Sequence, residues 1–153
     1  RETMSYYPWM NIVAEPSATT TDEVYNAVID TLTADPTVKG IFVVGDNDVT
    51  PAVSALRELN MLFDESDERH IMIGSVDGAD NAIQAIRDGE STFCANQRFD
   101  LFCTQVLQVA QDYTNGQYIA PANNMVQLSC SMIMRSNVDH LEEQGLLWAT
   151  GSF

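Results

Sequence analysis

Gly40-Ile41-Phe42-Val43-Val44-Gly45-Asp46-Asn47-Asp48 is the stretch on which the reading of this 153-residue chain turns. Its four consecutive apolar residues are too few for a helix and lack the alternation of a half-solvated strand. Ile41 to Val44 is therefore expected to be a strand covered by helices on both faces and placed centrally in its sheet. The Gly-Asp-Asn-Asp that follows is a turn. Thr50-Pro51 then looks like an N-cap with Pro at the first helical position, opening a helix that turns Val53, Leu56 and Asn60 or Met61 inward.

The same strand, turn and helix recur on either side. Downstream, Ile71 to Val76 reads as a strand that leads through Asp77-Gly78 into a helix with Ala79, Ala82, Ile83 and Ile86 at apolar spacing, stopped by Gly89. Ser91 to Ala95 reads as a further strand. Phe99, Phe102, Cys103, Val106, Leu107, Ala110 and Tyr113 mark the strongest amphipathic helix of the chain, closed by Asn115-Gly116. Upstream, Asn11 to Ala14 reads as a strand before a helix from Thr21 to Ala34 whose Val24, Ala27, Val28 and Leu32 share one face. Thr20 and Glu23 form its capping box. Beyond Gly116, Val126 to Met134 suits one or two strands and Asn137 to Gln144 a short closing helix. Strands alternating with helices define the α/β class: a three-layer αβα arrangement on a mainly parallel sheet, in one compact domain.

Composition narrows the function. Twenty-two acidic against seven basic residues give a net charge of -15, which repels phosphate backbones and speaks against nucleic acid as a partner. No apolar run approaches the roughly 18 residues of a membrane span. Cys94, Cys103 and Cys130 are odd in number and form no CxxC pair, so they indicate neither a disulfide framework nor a zinc site and are expected to be small buried apolar groups. The seven Met residues, Met72, Met132 and Met134 among them, are expected to fill the core. His70 and His140 have no partner at metal-ligand spacing, which leaves them structural or surface roles. The chain contains no Gly-x-Ser-x-Gly, no Gly-rich phosphate loop and no Gly-x-Gly-x-x-Gly, and neither Cys94 nor Cys103 has an evident His partner. An enzyme, a cofactor and a metal are accordingly not expected.

Polar residues do stand where the predicted strands end: Asn47 with its neighbour Asp48, then Asp77, then Gln97. In open parallel sheets the C-terminal strand edge is where ligands bind. A carboxylate with two amides there could share several hydroxyl groups of a sugar. The same residue types also form turns and cap helices, a role that Gly45-Asp46 and Asp77-Gly78 fit well. Spacing alone leaves both readings open.

A resemblance adds to this. Gly40 to Asp48 followed by Ala52-Val53-Ser54-Ala55-Leu56 is similar to the apolar strand, Asn-Asp and Ala-rich helix of periplasmic sugar-binding proteins of the ribose- and galactose-binding type. Ile73-Gly74-Ser75-Val76-Asp77-Gly78 resembles that family's strand ending in Asp-Gly. Ala85-Ile86-Arg87-Asp88-Gly89 resembles its helix end, and Thr92 to Asp100 its strand, hinge and Gln. The likeness runs from about Met10 to Gly116, with Ser136-Asn137-Val138-Asp139 similar to a closing segment. It implies that Asn47, Asp77 and Gln97 hydrogen-bond sugar hydroxyls, with Asp48 as the acidic neighbour.

It further implies that residues 1–95 belong to a second lobe, that 96–120 are a hinge and a helix normally packed in the first lobe, and that 121–153 are the return crossover and closing segment. The first lobe would lie outside this chain, as would the first strand and helix of the second, which in the family carry a sugar-gripping Arg. Thr19 and Thr20 stand where some members stack an aromatic ring. The helix from Phe99 to Tyr113 is then expected to fold back onto the lobe or to pair with a second chain, a homodimer. The implied function is that of the solute-binding component of an ABC-type importer, working outside the cytoplasm, periplasmic or extracellular, with a monosaccharide and a membrane permease as partners. The ligand-sensing domain of a sugar-responsive transcription regulator or signalling receptor shares the fold and is the alternative.

Overall fold

The computed structural model describes residues 6–121, 125, 126 and 128–149. In chain order they form α1 (Thr21–Ala34), β1 (Gly40–Phe42), a 3-10 turn (Asp46–Asp48), α2 (Val49–Glu58), β2 (Met72–Asp77), α3 (Asp80–Arg87), β3 (Phe93–Asn96), α4 (Phe99–Thr114), β4 (Ser131–Met134) and α5 (Val138–Glu143). The strands make one sheet in the order β1-β2-β3-β4. The first three run parallel and β4 returns antiparallel to β3.

Local chemistry accounts for most element ends. Thr20 accepts the Glu23 backbone N–H while the Glu23 carboxylate accepts the Thr20 backbone N–H, so the reciprocal cap of α1 is present. Gly89 and Gly116 follow α3 and α4 with positive φ, the conformation that ends a helix at little cost for glycine. The helix α2 begins earlier than expected: Val49 is its first residue, and Pro51 falls at the third position, still within the turn whose N–H groups have no intrahelical partner.

The sheet's two faces differ. Ile41, Val43, Ile71, Ile73, Cys94 and Ile133 turn to one side and pack with Val28, Leu32, Leu56, Ile83, Ile86 and Val138 in the hydrophobic core. The other side carries a row in register across all four strands, Phe42, Gly74, Phe93 and Met134. A side chain at Gly74 would collide with the Phe93 ring, so the glycine lets that ring lie over the sheet.

Several expectations are corrected by this arrangement. Among the described residues β1 is an edge strand, not a central one, and only one of its faces is covered: Phe42 is 62% and Val44 81% exposed. Asn11 to Ala14 forms no strand and is exposed. An isolated extended segment with no ladder to join does not count as a strand. Only Cys94 is buried; Cys103 and Cys130 are exposed. Met72, Met132 and Met134 lie on the open face, not in the core. The helix α4 has the expected apolar stripe but no buried residue, so it does not fold back onto the sheet, and Leu107 is 71% exposed. His70 has a structural role. The Phe63 carbonyl oxygen 2.7 Å from Nδ1 can only accept, which puts the proton on Nδ1 and turns Nε2 to Thr92 Oγ1 at 2.9 Å.

Candidate functional site

Three neighbouring parallel strands end side by side, and each has at or just beyond its end a residue singled out from the sequence. After β1 the chain passes Gly45 into the turn that holds Asn47, exposed, and Asp48, half-buried. Asp77 is the last residue of β2, and Gln97 follows β3. Asp77 and Gln97 are joined twice. The Gln97 backbone N–H donates to the Asp77 carbonyl at 3.0 Å, and Gln97 Nε2 donates to Asp77 Oδ1 at 2.8 Å. The other carboxylate oxygen, Oδ2, lies beside Gly45, where a β-carbon would touch it at 3.5 Å. The ends of β1 and β2 thus approach each other closely.

The backbone at this point is strained. Asp77 has φ 126°, a region that residues other than glycine rarely enter, at a cost on the order of 1–3 kcal/mol unless the surroundings hold it. They do. The Asp77 carbonyl accepts a second hydrogen bond from Trp148 Nε1 at 2.7 Å, and the N–H on the same peptide, that of Gly78, donates to Asp46 Oδ2 at 2.7 Å. Gly78 itself has φ 90°, with Asn96 Oδ1 packed where its side chain would be.

Asp46 is the structural acid of the site. It is 1% exposed, and its carboxylate accepts the backbone N–H groups of Gly78 and Ala79 at 2.7 and 2.6 Å, at the start of α3. The Cys94 thiol approaches Asp46 Oδ1 at 3.3 Å, and Asn81 Nδ2 donates to the Asp46 carbonyl. The Gly-Asp pair thus acts across the sheet: the turn after β1 holds the two N–H groups that lead into the helix after β2. Burial pushes the Cys94 thiol up to about 12, so it is chemically quiet. Asp77 is also raised above the ordinary carboxyl value, first by burial and then by the facing charge of Asp46. Hydrogen bonds from the Asp46 backbone and from Gln97 partly offset this.

Two further residues complete this edge. Asn96, fully buried, donates through Nδ2 to the Leu146 carbonyl at 2.9 Å and to Ser131 Oγ at 3.3 Å, tying the closing segment to the sheet. Trp148 brings that segment over Asp77. Asn96 could have been suspected from its place beside Gln97, but nothing in the sequence around Trp148 signals its position. Arg98, next to Gln97, is bidentate on Asp100. Among the described residues no cluster of His, Cys, Asp and Glu could hold a metal ion, and no helix is long and apolar enough to cross a membrane.

The C-terminal edge of the mostly parallel sheet thus gathers the Asp77 carboxylate and the Gln97 and Asn96 carboxamides. The match to known families is specific: residues 1–118 fit the periplasmic binding protein domain, and the chain belongs to that family. No curated protein matches by sequence. Among solved structures, an ABC transporter periplasmic solute-binding protein from Actinobacillus succinogenes with bound D-allose superposes with a TM-score of 0.77 at 23% identity, over 91% of this chain and 47% of that one. The periplasmic binding protein of the arabinose ABC transporter from Shewanella sp. ANA-3, bound to L-arabinofuranose, gives 0.76 at 16% identity, over 94% and 46%. An ABC transporter solute-binding protein from Mycobacterium smegmatis with bound glycerol gives 0.71 at 25% identity, over 92% and 46%. The chain spans about half the length of these proteins. The fold is that of the type 1 periplasmic binding proteins, a family of binding proteins and not of enzymes.

Proposed function

We propose that this chain supplies one side of a monosaccharide site in the solute-binding component of an ABC-type sugar importer. The observation that carries the reading is the Asp77–Gln97 pair: a carboxylate on strained backbone, held by a carboxamide, at the edge of three parallel strands with Asn47 on the adjoining turn. An ionised carboxylate accepts from two hydroxyls at once, and each carboxamide both donates and accepts, which suits adjacent ring hydroxyls. Family membership and the sugar- or polyol-bound neighbours support the ligand class.

In this reading residues 1–95 form part of the ligand-closing second lobe, 96–120 the hinge and a helix that packs in the other lobe, and 121–153 the return crossover and closing segment. Asp48, next to Asn47 on the same turn, is a further ligand-binding residue in this reading. The partner in the longer protein is a membrane permease, and the site of action is outside the cytoplasm.

Calorimetric titration of the chain with D-ribose, D-galactose, D-allose and L-arabinose tests the proposal. Saturable binding of at least one sugar is expected, weakened about tenfold or more by Asp77→Asn and by Gln97→Ala, since each removes a hydrogen bond to a charged or desolvated group. Absence of binding to all four at millimolar concentration, or variants that bind as the parent does, would refute it.

A further inference from the structure

We infer that Trp148 is a positioning residue for the ligand site, an inference that rests on the sugar-binding reading above. Its indole holds the peptide that aims the Asp77 carboxylate. The Asp77–Gly78 peptide is fixed at both ends: Trp148 Nε1 and the Gln97 N–H converge on its carbonyl at 2.7 and 3.0 Å, and Asp46 takes its N–H at 2.7 Å. With φ at 126°, Asp77 keeps this conformation only while such contacts over-determine it. Trp148 is the one of these partners that comes from the far end of the chain, 71 residues away.

The other side of the indole meets the start of α4. The Phe99 ring packs edge-on against Trp148, centroids 5.1 Å apart and planes at 89°, a favoured aromatic geometry. Phe99 opens α4, two residues beyond Gln97. Trp148 therefore touches the ends of two site-bearing segments, the carbonyl of Asp77 and the helix that follows Gln97. A change in the angle between the backbone at the end of β2, which carries Asp77, and the start of α4, just beyond Gln97, would move the indole or break one of its contacts. Trp148 accordingly sets the mutual orientation of the two groups that share the sugar.

The test is a double-mutant cycle on affinity with Trp148→Phe, Asp77→Asn and the double variant, titrated with whichever of D-ribose, D-galactose, D-allose and L-arabinose binds the parent chain most tightly, and with far-UV circular dichroism confirming the fold. Phe keeps a ring against Phe99 and loses the N–H donor. Trp148→Phe is expected to weaken binding roughly five- to tenfold, the range of one lost hydrogen bond, and to have less than about a twofold effect once Asp77 is Asn, because the orientation it enforces then no longer matters. Equal losses in both backgrounds, or parent-like affinity of the single variant, overturn the inference while leaving the sugar site intact. A parent chain that binds none of the four sugars overturns the site itself. Should the variant fail to fold, the parent chain decides. The sequence holds two tryptophans, Trp9 and Trp148, so the indole N–H resonance of Trp148 is expected to shift during the sugar titration with the calorimetric midpoint while that of exposed Trp9 stays put. An unmoved Trp148 resonance refutes the role.

Discussion

Replacing Asp46 by Ala tests the claim that the turn after β1 holds the start of α3. The carboxylate is buried and accepts two backbone N–H groups, from Gly78 and Ala79, at 2.7 and 2.6 Å. Without it both donors stay next to the core with no acceptor, and each stranded donor costs about 1–3 kcal/mol. Release from the cost of burying a carboxylate returns part of this, so the net destabilisation is about 2–4 kcal/mol. Against a total of about 5–15 kcal/mol for an ordinary domain this is a large share, worth about 5–15 °C in Tm at this chain length. Urea unfolding followed by far-UV circular dichroism measures it. Asp46→Asn, which keeps one acceptor oxygen, should fall between the parent and Ala. A loss below about 0.5 kcal/mol in Asp46→Ala would show that Gly78 and Ala79 find other acceptors and that the turn does not support the helix.

Other consequences are as direct. The Asp77 carboxyl titrates above 3.8 because burial and the Asp46 charge disfavour ionisation. Sugar affinity should be full above that raised value and fall as pH drops through it, with the midpoint moving lower in Asp46→Asn; for folding the sign is opposite, the protonated form being favoured in the folded chain and that contribution being lost as pH rises through the same value. Titration calorimetry between pH 3.5 and 7 on the ordinary carboxyl scale reads the first effect, and a flat profile contradicts it. Gly78→Ala must place a β-carbon 2.5 Å from Asn96 Oδ1 on backbone at φ 90°, so thermal unfolding should show a loss of about 2–4 kcal/mol; a neutral result would mean that the β2–α3 turn relaxes freely. Iodoacetamide should modify Cys103 and Cys130 in the folded chain and spare Cys94, whose buried thiol lies near pKa 12. Peptide mass mapping distinguishes these outcomes, and fast labelling of Cys94 would be inconsistent with its position.

Elements with their own local signals were legible from residues alone. The capping box at Thr20 and Glu23, the stop at Gly89 and the closure at Asn115-Gly116 all reside within a few neighbouring residues, and the structure has α1, α3 and α4 where those signals put them. What depended on partners distant in the chain was misread. Ile41 to Val44 has the composition of a central strand, but whether both faces are covered depends on which elements flank it, and Phe42 and Val44 face outward. Met72, Met132 and Met134 lie on the same uncovered face for the same reason. Asp77 and Gln97 stand at neighbouring strand ends, as the alternation of strand and helix implies, and are hydrogen-bonded. Asp46 was visible as a cap, though the helix it serves is the one after β2, a relation made by sheet pairing and not by spacing. Trp148 lies 71 residues from its acceptor, beyond the reach of any local pattern.

The open face of the sheet bears on how the isolated chain behaves in solution. Phe42, Val44, Met72, Met132 and Met134 offer water an apolar surface, while the whole molecule carries a net charge of -15. Two copies approaching each other are drawn together by the first and held apart by the second. Repulsion between surface charges reaches only about 8 Å at physiological ionic strength and shortens further as salt is added, whereas apolar attraction is undiminished or strengthened by it. Colloidal behaviour should thus be set by the buffer: dilute salt keeps copies dispersed, and concentrated salt brings their bare sheets together.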